Sequence, residues 1–268
     1  MSIFQKTLES KILGKPMNLS VYCPSGYEVA ELPVLYFLHG RTGDETLVRQ
    51  TGMDKLADEL IAAGEIKPLC IVCPSMGNSR GINSARVARE VDGKYGPVHK
   101  GRYADYLLEE VIPFAEDALR AARRREDRYI GGVSAGGYAA LHLALRHQEL
   151  FSRVGGHMPA IDLSCADEDE CYFADEAMWL QYDPISIAAG GGACDLRVFL
   201  DDGDQDEGQF YRGCEKLYEI LRQKGADVQN HVFKGHHNGE YVVSNLKKLW
   251  MKRENGRLQT HLSQLDSA

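Results

Sequence analysis

Arg128-Tyr129-Ile130-Gly131-Gly132-Val133-Ser134-Ala135-Gly136-Gly137-Tyr138-Ala139-Ala140-Leu141-His142-Leu143-Ala144-Leu145 is the stretch whose reading decides the fold. Its first six residues read as a buried strand, and from Gly137 onward it is a run of strong helix formers. Ser134 stands where the one turns sharply into the other. A nucleophile elbow needs that strand-turn-helix arrangement, because its serine must expose a hydroxyl from a strained turn. The glycines on either side make room where the turn crosses neighbouring strands. With 27 glycines in the chain, G-x-S-x-G alone is a weak signal, and the flanking strand and helix give it its meaning. The N–H of Ala135, at the start of the helix, points to where an oxyanion would form.

Outward from this stretch, short β-branched runs alternate with longer helical ones. Strands are predicted near Leu19–Tyr22, Val34–Leu38, Leu69–Cys73, Arg128–Val133, Leu196–Leu200 and Val228–Phe233. Helices are predicted near Thr51–Ala63, Tyr103–Ala122, Gly137–His147, Gly208–Lys224 and Gly239–Arg253. Strands interleaved with helices imply an α/β fold, a mostly parallel sheet covered on both faces. No linker or internal repeat divides the chain, so residues 1–268 are expected to form one domain. Two irregular segments, Ser75 to Lys100 and the acidic Asp162 to Gln181, are expected either to overhang the strand ends and shape a pocket or to be solvated surface excursions. The basic run ending in Arg123-Arg124-Arg125 reads as the solvated end of a helix.

The formal net charge of −8 and the absence of a long apolar run argue against nucleic acid and membrane as partners. A small molecule is the expected partner, and the sequence is compatible with a homo-oligomer. The N-terminus lacks the apolar core of a secretory signal, which makes the cytoplasm the expected location. Seven cysteines, an odd number in a chain of this size, suit a reducing compartment. Cys70 and Cys73 lie three apart on a strand and should face opposite sides, so they are not expected to bridge or to hold a metal.

If Ser134 is a nucleophile, the chain should offer a carboxylate and then a histidine after later strands. The strand ending at Leu200 leads into Asp201-Asp202-Gly203-Asp204-Gln205-Asp206-Glu207, most of which is expected to be solvated turn. Spacing favours Asp206, with Asp204 and Asp202 as alternatives. The strand ending at Phe233 leads into Lys234-Gly235-His236-His237-Asn238, and one of its two histidines should be the base. His231 reads as a strand residue, and His261, in a polar tail, is a poor base. Val34–Leu38 runs into His39-Gly40-Arg41-Thr42, where Arg41 or Thr42 should give a second oxyanion N–H. His39 precedes the serine and is expected to order that loop.

Pro33-Val34-Leu35-Tyr36-Phe37-Leu38-His39-Gly40, Leu108-Glu109-Glu110-Val111-Ile112-Pro113-Phe114, the serine segment through Leu141, Leu150-Phe151 and Gly235-His236-His237 together carry a family resemblance. The chain resembles the putative-esterase (esterase D-like) family of α/β-hydrolases. That family includes feruloyl and acetylxylan esterases, S-formylglutathione hydrolases, enterochelin esterases and mycolyltransferases. The resemblance implies the α/β-hydrolase fold, Ser134 as nucleophile, Asp206 as acid and His237 as base. It also implies the N–H groups of Arg41 and Ala135 as the oxyanion hole, and no cofactor or metal. His236 is left without a role. The chain departs from the family pattern at Ala135, where methionine is common, and at Gly239, where a large aromatic residue is common. The loop after Leu38 also lacks the S-formylglutathione hydrolase pattern, which disfavours that activity. The expected function is hydrolysis of an ester with a small or short acyl group. The alternatives are acyl transfer by the same three residues or a non-catalytic binding protein on this fold.

Overall fold

A computed structural model describes residues 2–27, 31–165 and 167–249, and the backbone of 251–254 and 257–260. Its main sheet has eight strands: β1 (Ser2–Ser10), β2 (Lys15–Cys23), β3 (Val34–Leu38), β4 (Cys70–Pro74), β5 (Arg128–Val133), β6 (Arg153–His157), β7 (Arg197–Gly203) and β8 (Asp227–Phe233). They lie in the order β1-β2-β4-β3-β5-β6-β7-β8. β1 with β2 and β2 with β4 are antiparallel, and every later pair is parallel. This is the mostly parallel α/β-hydrolase sheet that the sequence leads one to expect.

The two-residue period of a strand sorts β3 onto two cores. Val34, Tyr36 and Leu38 face a cluster containing Ile112 of α2 (Ile112–Ala118), Leu141 of α3 (Ala135–Arg146) and Leu217 of α6 (Tyr211–Gln223). Leu35 and Phe37 face the other side, against Leu60 of α1 (Met53–Ala62) and Leu246 of α7 (Gly239–Leu249). Cys70 falls in the first cluster and Cys73 in the second, on opposite faces as their spacing requires. Leu141 and Leu143 are at most 1% exposed, and each such leucine stabilises the fold by about 1.5–3 kcal/mol relative to water.

Where the elements differ from the sequence expectation, local causes are visible. β1 is an edge strand that no core run marks out. β6 carries one aliphatic residue and two glycines, and at Gly156 a Cβ would come within 3.0 Å of Leu141 Cδ1 and 2.9 Å of Pro159 Cγ. The predicted helix at Tyr103–Ala122 is α-helical only at its ends and widens to a π turn over Tyr106–Val111, next to Pro113, which has no N–H to give. It stops at Ala118, so the basic run is not a helix end. Arg123 pairs with Asp117, Arg124 with Asp127, and Arg125 donates to the Gln148 carbonyl. α7 ends at Leu249, short of Arg253. His261 lies outside the described residues. Among the described residues no helix is long and apolar enough to cross a membrane.

The two excursions leave from the C-terminal ends of β4 and β6, the edge where ligands bind in open parallel sheets. The acidic one contains α4 (Glu176–Tyr182), capped by Asp175, and leads into α5 (Pro184–Gly190), capped by Asp183. The excursions are packed together by Ile82, Val98, Tyr172, Phe173, Trp179 and Tyr182 around Tyr138 of α3. Arg80 is sealed among them at 4% exposure. It is paired with Asp169, its guanidinium 5.0 Å from the Tyr138 ring centre and 5.2 Å from that of Tyr172.

Candidate active site

Ser134 follows β5 directly and sits at φ 55°, ψ −119°, a conformation that strains any residue with a Cβ. Close packing fixes it there. A Cβ on Gly136 would lie 2.5 Å from the His39 carbonyl oxygen, and one on Gly132 would lie 2.5 Å from the carbonyl carbon of Gly136. The elbow therefore crosses the end of β3 at a distance only glycine permits. Ser134 N–H donates to the His157 carbonyl of β6 at 3.0 Å, and its own carbonyl accepts from Tyr138 and Ala160.

His237 Nε2 lies 2.9 Å from Ser134 Oγ, and its Nδ1 lies 3.1 Å from Asp206 Oδ2. The Asp206 side chain is fully buried, and its Oδ1 accepts the Gly208 N–H at 2.8 Å. Of the carboxylates that the sequence offers, the structure brings only Asp206 to His237 among the described residues. Asp204 caps the histidine loop instead, accepting the Gly235 N–H at 2.9 Å. Asp202 lies inside β7 with no exposed surface, and burial pushes its carboxyl well above the usual range. The expectation that most of this run is solvated turn is therefore wrong for Asp201, Asp202 and Asp206. β7 continues three residues beyond Leu200, to Gly203, and draws the first two into the sheet.

His236 faces Glu207, 2.7 Å from its carboxylate, and both are largely exposed. The two loops are thus joined twice by neighbouring residues, Asp206 with His237 and Glu207 with His236. His39 is fully buried, faces the Gly40 carbonyl through Nδ1 and accepts the Met76 N–H on Nε2, so it orders the loop carrying Arg41. Burial lowers its pKa. His231 stacks on Phe233 within the sheet.

The Ala135 amide is the first of α3, one of those a helix leaves without an internal partner. Gly40, the residue before Arg41, lies beside the serine, where a Cβ on it would meet the Ser134 Cβ at 3.5 Å. The Arg41 guanidinium lies over the exposed Tyr95 ring at 4.6 Å. An aromatic wall for His237, absent from its own loop, comes from Phe210, ring centres 5.1 Å apart. Sequence reasoning missed Phe210 because it precedes His237 by a whole strand and helix. Among the described residues no three His, Cys, Asp or Glu side chains gather as metal ligands. A serine hydroxyl, an imidazole and a buried carboxylate in line can pass a proton from oxygen to nitrogen and so attack a carbonyl carbon.

A family model described as putative esterase matches residues 10–250. Among solved structures, a ferulic acid esterase is similar over 92% of this chain and 95% of its own, at 22% identity and TM-score 0.77. A fluorophosphonate-binding serine hydrolase of Staphylococcus aureus is similar at 20% identity and TM-score 0.72, covering 92% and 96%. An S-formylglutathione hydrolase from the same organism is similar at 22% identity and TM-score 0.70, covering 92% and 96%.

Proposed function

The chain belongs to the putative esterase family, and from that premise we propose that it is a serine esterase that cleaves small carboxylic esters through an acyl-Ser134 intermediate. The observation that carries this reading is the unbroken contact from Ser134 Oγ to His237 Nε2 and from His237 Nδ1 to Asp206 Oδ2. His237 takes the serine proton as Oγ attacks the ester carbonyl carbon. The N–H groups of Ala135 and Arg41 receive the charge that develops on the carbonyl oxygen. Collapse expels the alcohol, which takes the proton from His237. A water activated by the same nitrogen then attacks the acyl-enzyme, releasing the acid and restoring the serine. Asp206 accepts the Nδ1–H throughout and holds the ring in the tautomer that leaves Nε2 basic.

A short acyl group is supported by Tyr172, Phe173, Trp179 and Tyr182, which are buried against one another rather than spread around an open channel. The substrate is a small molecule, and a cytoplasmic setting fits the cysteine usage. Hydrolysis of p-nitrophenyl esters of increasing acyl length by wild type and Ser134→Ala tests the proposal. Acetate is expected to be preferred over longer chains, and Ser134→Ala to be inactive. Equal rates for the two proteins would contradict it.

A further inference from the structure

β5 and β6 end level with Asp201 of β7, Val133 lying opposite His157 and His157 opposite Asp201. Side chains in one row of a parallel sheet share a face, so His157 and Asp201 meet behind the elbow. His157 Nδ1 lies 2.5 Å from Asp201 Oδ1, and neither residue has any exposed surface. His157 Nε2 turns toward the Val242 carbonyl of α7 at 3.4 Å, and the Tyr241 ring packs against the imidazole at 5.4 Å. Burial first, and then the charges of Asp201 and Asp202, push the Tyr241 hydroxyl far above the usual phenol range.

The backbone of this pair is engaged as fully as its side chains. The His157 carbonyl accepts the Ser134 N–H, and the Asp201 carbonyl accepts the Met158 N–H at 2.7 Å. Asp201 lies five residues before Asp206 on the segment that carries it, and Tyr241 lies four residues after His237. One buried cluster therefore touches all three segments that deliver Ser134, Asp206 and His237. Burying such a pair costs desolvation energy that an apolar pair would not, so it is a poor device for stability alone. What it supplies is a single arrangement. The Asp201 carboxylate on one ring nitrogen and the Val242 carbonyl on the other fix the orientation of the imidazole.

We propose that His157 and Asp201 are positioning residues that hold Ser134 in register with His237 and Asp206. The proposal rests on the reading of Ser134 as nucleophile. It is tested by steady-state hydrolysis of p-nitrophenyl acetate, with kcat expressed per Ser134 titrated to completion by a fluorophosphonate. Counting titrated sites removes any loss of folded protein from the rate. Asp201→Leu is expected to lower kcat per site about tenfold or more with KM within about twofold, as a displacement of reacting groups does. Asp201→Asn, which keeps an acceptor for Nδ1, recovers most of the rate. Should Asp201→Leu fail to fold, His157→Asn gives the same comparison, since it keeps a donor near the place of Nδ1 and loses the contact of Nε2. Per-site kcat equal to wild type in Asp201→Leu or, if that does not fold, in His157→Asn would overturn the proposal. An active Ser134→Ala, by contrast, would overturn the nucleophile and leave the cluster without this role.

Discussion

Phe210 packs edge-on against the imidazole of His237, with ring centres 5.1 Å apart and planes at 64°. Gly208 leaves the space the ring occupies, since a Cβ there would fall 2.7 Å from Phe210 Cε2. An aromatic pair of this kind contributes about 0.5–1.5 kcal/mol beyond its buried area. Phe210→Ala is therefore expected to lower kcat for p-nitrophenyl acetate about two- to tenfold by loosening the ring. An unchanged kcat would show that His237 is held without it.

Asp206 and Asp202 make opposite predictions. Asp206→Asn leaves the imidazole in the wrong tautomer and should lower kcat by about 10³- to 10⁴-fold. Asp202→Asn should leave kcat near wild type, because burial, not a histidine partner, sets its state. The folded chain holds the Asp202 proton at pH values where the unfolded chain has lost it, so from about pH 4 upward stability falls as pH rises. Asp202→Asn removes that loss. Its melting temperature should exceed that of wild type at pH 8, with the gain shrinking toward pH 4. A gain that grows on acidification would contradict this reading of the carboxyl.

His142 lies on α3 between the rings of Tyr138 and Tyr182, without exposed surface, and burial pushes its pKa down to about 3. Between the unfolded value near 6.5 and that depressed value the unfolded chain binds the extra proton, so His142 withdraws stability as pH falls through this window. Relative to His142→Phe, wild type should lose about 1.4 kcal/mol per pH unit in urea denaturation between pH 6 and pH 4. A difference that stays constant with pH would show that the ring protonates in place.

Arg80 and Asp169 form a buried pair, 4% and 1% exposed, that joins the two excursions. Removing one partner strands the other. Asp169→Ala should cost about 3–5 kcal/mol of stability, read as a lowered melting temperature. A loss below about 1 kcal/mol, the worth of a surface pair, would mean that Arg80 finds solvent.

The elbow was legible because strand, serine and helix are contiguous and each obeys its own period. The sheet was legible where strands are aliphatic. β6 was not, since Gly156 fits a close approach by Pro159 and Leu141 that composition does not announce. The order of acid and histidine could be read from the chain, and spacing favoured Asp206 as the acid, yet the choice against Asp204 and Asp202 stayed open. It turns on where β7 ends, three residues later than its aliphatic run suggests. The His157–Asp201 pair was invisible for a related reason: strand register, which no local pattern encodes, sets the two side by side.

Whether Ser134 carries the acyl group can be read from the protein itself, by acid quenching during turnover of p-nitrophenyl acetate followed by mass spectrometry of its peptides. One acetyl group is expected on the peptide containing Ser134, accumulating further in a variant slowed in deacylation and absent from Ser134→Ala. Ongoing turnover by Ser134→Ala, or an acetyl group that maps to another residue, would contradict the acyl-serine mechanism.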